Sequence, residues 1–203
     1  MFPFDVILFD VGGVLLTNGW DRHERAAVLD QFHLDHAAFE ARHPQPNDAW
    51  ERDAIALRDY LDATVFYEPR SFSHDDFFAA LCAQSRPLAD SALPILEELA
   101  ALGRCALGTL NNEAREPNNY RFRTFALRDH FDFAFSSCYV GLRKPEPAIY
   151  KRVLDILGCP PERILFIDDR AENAAAASKA GMRAIQFQGA ASLRQTLQQL
   201  DVL

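Results

Sequence analysis

Four polar segments follow short apolar runs: Asp10 in ILFDVGGVL, Thr109 in CALGTLNNE, Lys144 in GLRKPEPAIY, and the adjacent Asp168 and Asp169 in ILFIDDRAEN. Each has an ordinary reading. An acid after a strand commonly caps a helix or closes a turn, Gly12-Gly13 suits a tight turn, and Lys144 before a proline suits a solvated loop. The acid pair is harder to explain that way, because neighbouring carboxylates at a strand end repel unless a cation or a lysine lies between them. Taken together the four segments suit one chemistry. A carboxylate and a phosphate dianion repel, so an aspartate can attack phosphorus only if cations screen the developing charge. Magnesium and Lys144 would supply that screening. Magnesium favours a few carboxylates with substrate oxygen and water, which suits Asp10, one aspartate of the pair and a main-chain carbonyl. The Thr109 hydroxyl and nearby backbone amides would hold the other phosphoryl oxygens.

Strand-length apolar runs recur at Val6–Phe9, Cys105–Leu107, Phe133–Phe135, Ile164–Ile167 and Ala184–Phe187, with helical patterns between the later ones. Three of those helical patterns end in glycine just before a strand, at Gly103, Gly158 and Gly181. This alternation predicts an α/β fold, a Rossmann-like three-layer parallel sheet, in which ligands bind beyond the C-terminal strand ends. One connection is different. Between the first strand and the helix near Asp90–Leu102 the periodicity is helical only, so residues 1–17 and 89–203 are expected to form the core and residues 18–88 a small helical cap. Within the cap, Asp48–Val65 carries Trp50, Leu57 and Leu61 at helical spacing, and Ser73 reads as an N-cap with Asp76 at N3.

The net charge of -8 disfavours nucleic acid and anionic membranes as partners. Residues 18–88 contain 13 acids and 7 arginines without a lysine, which suits a small substrate better than a polymer. The apolar N-terminal run is too short to span a bilayer and lacks the marks of a signal peptide. Cys82, Cys105, Cys138 and Cys159 form no C-x-x-C pair and the six histidines form no metal-binding pair, so reduced thiols and a cytoplasmic location are expected. Nothing in the sequence bears on oligomeric state; a monomer is taken as the working form.

In this order, the four segments resemble the motifs of the haloacid dehalogenase-like superfamily, whose phosphatases use an aspartate nucleophile and magnesium. VGLRKPEPAIY and FIDDRAEN are most similar to the subgroup that includes the phosphatase domain of soluble epoxide hydrolases. The resemblance implies a magnesium-dependent phosphatase that acts on a small phosphorylated metabolite through an aspartyl-phosphate on Asp10. It makes Thr109 the phosphate-binding hydroxyl, with Leu110 and Asn111 beside it at the substrate, and Lys144 the bridge between phosphoryl group and acids. Asp169 becomes the direct magnesium ligand, with Asp168 acting through water or Lys144. The carbonyl of Gly12 completes the protein ligands, and Asn173 takes a polar position near the metal.

Two positions depart from the family pattern. Where most of these phosphatases carry a second aspartate, the general acid-base two residues after the nucleophile, this chain has Gly12. The family also tends to place asparagine directly after the motif-two hydroxyl, where this chain has Leu110. A positioned general acid is worth roughly 10²–10⁴ in rate, so its absence predicts a preference for leaving groups that need little protonation, such as anomeric sugar phosphates, acyl phosphates or aryl esters. Gly12→Asp is then expected to speed alkyl esters more than aryl ones. Asp21, His23 and Glu24 are candidate substitutes. Two alternatives remain: a phospho-accepting module with little turnover, and a metal-free dehalogenase.

Overall fold

In the computed structural model of the chain, which describes residues 2–203, the apolar runs form one parallel sheet. Its strands are β1 (Val6–Phe9), β2 (Ala106–Asn111), β3 (Phe133–Ser136), β4 (Ile164–Asp168) and β5 (Arg183–Gln186), in the order β3-β2-β1-β4-β5. Between β1 and β2 lie α1 (Arg22–Gln31), α2 (His36–Arg42), α3 (Pro44–Glu51), α4 (Leu57–Thr64), α5 (His74–Ala83) and α6 (Leu93–Leu102). After β2 come α7 (Arg115–Thr124), α8 (Ser137–Val140), α9 (Pro147–Leu157), α10 (Ala171–Lys179) and α11 (Ala190–Gln199).

The central strand explains the three layers. Successive side chains of a strand point to opposite faces. Ile7 and Phe9 pack with Leu107, Leu165 and Ile167 against Leu96 and Leu99 of α6 and Leu193 and Leu197 of α11. Val6 and Leu8 pack with Leu110, Ile164 and Phe166 against Ile149 and Val153 of α9 and Ala177 of α10. Burying each such side chain contributes about 1.5–3 kcal/mol relative to exposure, and the unbroken VILF of β1 is buried on both faces. Gly103 and Gly158 close α6 and α9 in left-handed conformations. The third expected glycine stop lies further out, since α10 is capped by Ala180 and Gly181 follows it. No helix among the described residues is long and apolar enough to cross a membrane.

β2 runs further than the apolar pattern predicts. Its ladder with β1 pairs Thr109 with Phe9, and its ladder with β3 pairs Asn111 with Ser136. Thr109 therefore lies inside the strand instead of after it. The polar Asn111 is tolerated there because its carboxamide is satisfied: Nδ2 donates to Asn118 Oδ1 at 3.0 Å, and Ser136 Oγ donates to Asn111 Oδ1 at 2.9 Å.

Helices α1–α5 enclose a separate apolar cluster that includes Trp20, Leu29, Phe39, Trp50, Tyr60, Phe77 and Leu81. Ser73 and Asp76 form the expected capping box on α5: Asp76 Oδ2 accepts from Ser73 N at 2.9 Å, and Ser73 Oγ accepts from Asp76 N at 3.1 Å. The helical pattern over Asp48–Val65 is two helices, not one. α3 stops at Glu51 because Asp53 takes a left-handed conformation (φ 60°), and Arg115 of α7 grips its carboxylate through Nε at 2.7 Å and Nη2 at 2.6 Å. Asp48–Arg143 at 2.7 Å, Arg52–Glu146, and Trp50 Nε1 donating to Glu116 Oε2 at 2.9 Å fasten the same end of α3 to the sheet-bearing part.

His43 makes this cluster sensitive to acid. Trp20 Nε1 donates to the Tyr60 hydroxyl at 2.7 Å, and His43 Nδ1 is hydrogen-bonded to the same hydroxyl at 2.8 Å. Burial, with Arg25 adding its charge, pushes the His43 imidazole down to about 4 from the ordinary 6.5. The unfolded chain therefore binds a proton that the folded chain refuses as pH falls from 6.5 toward 4, and stability is lost over that window. The expected loss between pH 7.5 and pH 5 is about 2 kcal/mol. Urea unfolding at the two pH values checks it, with His43→Gln as comparison; an undiminished pH slope in that variant rejects the assignment.

Candidate active site

The strand order reverses at β1: the chain fills β2 and β3 on one side, then β4 and β5 on the other. Such a switch point leaves a crevice at the C-terminal strand ends, where open α/β sheets bind ligands. Asp10 leaves β1 there, held by its N–H to the carbonyl of Ile167 at 2.8 Å. Asp168 ends the neighbouring β4. Both acids and Lys144 are buried, Lys144 with 1% of its side chain exposed.

Lys144 Nζ lies between the two strands' acids, 3.0 Å from Asp10 Oδ2 and 2.6 Å from Asp168 Oδ2. Its backbone is fixed by Asn112, whose Oδ1 accepts from Lys144 N at 2.9 Å and whose Nδ2 donates to Lys144 O at 2.8 Å. The two acids of the pair differ in what they touch. Asp168 is saturated, accepting also from Arg170 N at 2.8 Å and from Asn173 Nδ2 at 3.0 Å. Asp169 keeps a buried Oδ1 with no partner. One oxygen each from Asp10, Asp168 and Asp169 lies within 4.8 Å of the others.

This clustering shifts the acids. Burial pushes the Asp10 carboxyl up, to about 7, against the pull of Lys144 and with Asp168 and Asp169 adding repulsion. Asp169 is raised for the same reasons, burial first and Asp168 second. Burial opposes the charge on Lys144, but Asp10 and Asp168 outweigh it and raise its pKa. Three carboxylates share one ammonium, so the cluster lacks positive charge. An orphaned buried carboxylate oxygen beside two further carboxylates is a donor set that fits a hard divalent cation.

The turn after Asp10 is built around Asp169. Gly13 has φ +72°, and a Cβ there would lie 2.2 Å from Asp169 Oδ2, so its bare backbone is what lets the carboxylate reach the site. At Gly12 the room is also taken, by Asn18: a Cβ would lie 2.9 Å from Asn18 Oδ1 and 3.3 Å from Asn18 Cα. Gly12→Asp is thus no simple restoration of a missing acid, as position 12 alone suggests.

A polar cavity of about 340 Å³ opens over this turn, lined by Asp10, Gly12, Lys144 and Asn173 below and by Asn18, Trp20, Arg25, Asn47 and Glu51 above. The other motif-two residues are placed differently. Thr109 Oγ1 is buried with no protein partner, near Asp10 through its pairing with Phe9, but it does not line the cavity. The side chain of Leu110 packs in the apolar core and that of Asn111 in the Asn118–Ser136 network, so neither lines the cavity. Asn112 and Glu113 line the cavity in their place. Of the candidate substitute acids only Asp21 lines it, paired with Arg170 at 3.0 Å, while His23 is exposed.

Arg121 is the functional-site residue least visible in the sequence. It is 1% exposed, pairs with the buried Glu113 and donates from Nη2 to the carbonyl of Thr17 at 2.5 Å, tying α7 to the segment that leaves the site. The cysteines offer no competing nucleophile: all four are free, and burial pushes Cys82 and Cys138 up to about 12 and Cys105 to about 11.

Known proteins resemble the chain in sequence and in fold. A family model described as haloacid dehalogenase-like hydrolase matches residues 4–181. A sesquiterpene phosphatase of Aspergillus oryzae is 33% identical over 204 residues, covering 97% of this chain and 96% of its own. Bifunctional epoxide hydrolase 2 of Mus musculus is 31% identical over 217 residues, covering 96% of this chain and 38% of its own. The chain spans only 24% to 38% of the length of the three epoxide hydrolases it matches. Among solved structures, an enzyme of the same family from Bacteroides thetaiotaomicron, in complex with magnesium and inorganic phosphate, superposes with a TM-score of 0.70 at 20% identity, covering 92% of this chain and 95% of its own.

Proposed function

Because the chain belongs to the haloacid dehalogenase-like hydrolases, it is a hydrolase, and we propose that it dephosphorylates a small metabolite, with Asp10 as nucleophile and magnesium as cofactor. The observation that carries this reading is Lys144 Nζ set between Asp10 and Asp168 beside the unpartnered Oδ1 of Asp169.

In the first step an Asp10 oxygen attacks phosphorus, and the bond from phosphorus to the leaving oxygen breaks with its electron pair going to that oxygen. In the second, water attacks the phosphorus of the aspartyl-phosphate, freeing Asp10 and inorganic phosphate and releasing a proton to solvent. Val11 N–H, donating to Asp10 Oδ1 at 2.8 Å, and Lys144 fix the carboxylate before attack, which removes orientational freedom from the barrier. Lys144 also offsets charge on the phosphoryl oxygens. Asp10, Asp169 and the Gly12 carbonyl would hold magnesium, which supplies the positive charge this cluster lacks. Asp168, saturated by Lys144, Asn173 and the Arg170 amide, positions Lys144 instead of binding metal directly. The unpartnered Thr109 hydroxyl and the backbone amides that follow it are the proposed phosphate donors.

Residues 18–88 act in this reading as the cap that shapes the leaving-group side of the cavity. The phosphatases named among the sequence relatives support phosphoryl chemistry over dehalogenation. So does the acid cluster, which a metal-free site would leave underbalanced. The test is turnover of a panel of phosphorylated metabolites with magnesium and after chelation. Hydrolysis that depends on magnesium is expected; equal rates after chelation would overturn the cofactor assignment.

A further inference from the structure

The position of the missing aspartate is not empty space. A side chain at residue 12 would start where Asn18 stands, with its Cβ 2.9 Å from Asn18 Oδ1. The backbone around Asn18 is pinned on both sides. Thr17 N donates to Arg86 O at 2.8 Å, the Thr17 carbonyl accepts from Arg121 Nη2 at 2.5 Å, and the Asn18 carbonyl accepts from Trp20 N at 2.8 Å. Thr17 Oγ1 donates to Gln84 O at 2.7 Å and accepts from Arg86 N at 3.1 Å. Gly19 rests against Arg121, whose Nη1 would lie 3.0 Å from a Cβ there. All this holds the chain, yet the Asn18 carboxamide makes no hydrogen bond to protein among the described residues, and it lines the cavity with Asp10 and Lys144.

A half-buried carboxamide on a pinned backbone, without a protein partner and lining the nucleophile's cavity, is free to bond a group bound there. We propose that Asn18 is a catalytic residue that binds the leaving group, taking over the place of the absent acid-base side chain without its ability to transfer a proton. The assignment rests on the phosphatase reading above. Asn18 Nδ2–H donates to the leaving oxygen as the phosphorus–oxygen bond breaks, and the departing oxyanion then takes its proton from solvent water. An amide keeps its proton throughout, so the site favours leaving groups that are stable as anions, and this position adds no ionisable limb to the pH profile.

The test uses 4-nitrophenyl phosphate and phenyl phosphate, which differ in how much the leaving oxygen needs help, with the full chain and magnesium. A lost hydrogen bond to a developing charge costs about tenfold. Asn18→Ala is therefore expected to lower kcat/KM for phenyl phosphate about tenfold while the 4-nitrophenyl ester changes less than about threefold. Equal factors for the two esters, or no change in either, overturn the proposal. Asn18→Asp, nearly isosteric and so expected to fold, reports independently: a new ionisation in its kcat profile with a relative gain for phenyl phosphate supports the assignment, and a profile identical to that of the unsubstituted chain overturns it. If the unsubstituted chain is no faster than Asp10→Asn on either ester, the phosphatase reading itself fails.

Discussion

Asp10→Asn is expected to cut phosphate-ester turnover by about 10⁴-fold or more, since losing a covalent nucleophile removes the whole reaction path instead of weakening one contact. The fold is expected to survive. The carboxamide oxygen of the variant can still accept from Val11 N–H, and a neutral amide relieves a carboxyl that burial already pushes up to about 7. Thermal unfolding alongside the rate measurement separates the two effects. Full loss of turnover with an unchanged or raised Tm is the expected pair; a matching fall in Tm would make the loss a folding defect.

Lys144→Met has the opposite profile, large in stability as well as in rate. The ammonium is 1% exposed and bridges Asp10 and Asp168, with Asp169 close behind. Removing one partner of a buried ionic cluster costs about 3–5 kcal/mol, which for a chain of this size lowers Tm by roughly 6–20 °C. Added magnesium should recover part of that loss, because a cation in the same cluster supplies the missing charge. A Tm within about 2 °C of the unsubstituted chain, the shift that less than 1 kcal/mol produces, would mean that Lys144 does not balance these acids.

The features legible in the sequence are those written in local pattern. β1 and β4 appear as unbroken apolar runs because both faces of a central parallel strand are buried. Asp10 and the Asp168–Asp169 pair mark the ends of those two strands, so the acidic half of the site could be read from position alone. The family resemblance implies Asp169 as the direct magnesium ligand, and in the structure Asp168 is saturated while Asp169 Oδ1 keeps no partner.

The residues that escaped depend on contacts between distant segments. β2 hides its last four residues because Gly108, Thr109 and Asn111 break the apolar pattern, and only Ser136 and Asn118 make a buried Asn111 acceptable. The break between α3 and α4 rests on Arg115 holding Asp53, and no helical periodicity reports that. Asn18 is the most consequential case. It is six positions beyond Gly12 in the chain and in contact with it in space. Gly12 read alone signals a missing acid, whereas Gly12 read with Asn18 signals a replaced one.

The most direct test of the central claim is a rapid acid quench during magnesium-supported turnover of 4-nitrophenyl phosphate, followed by peptide mapping. Attack by Asp10 predicts a hydroxylamine-sensitive phosphoryl group on the peptide that carries Asp10, and none on that peptide from Asp10→Asn. A phosphoryl group on another residue, or undiminished turnover by Asp10→Asn, would contradict it.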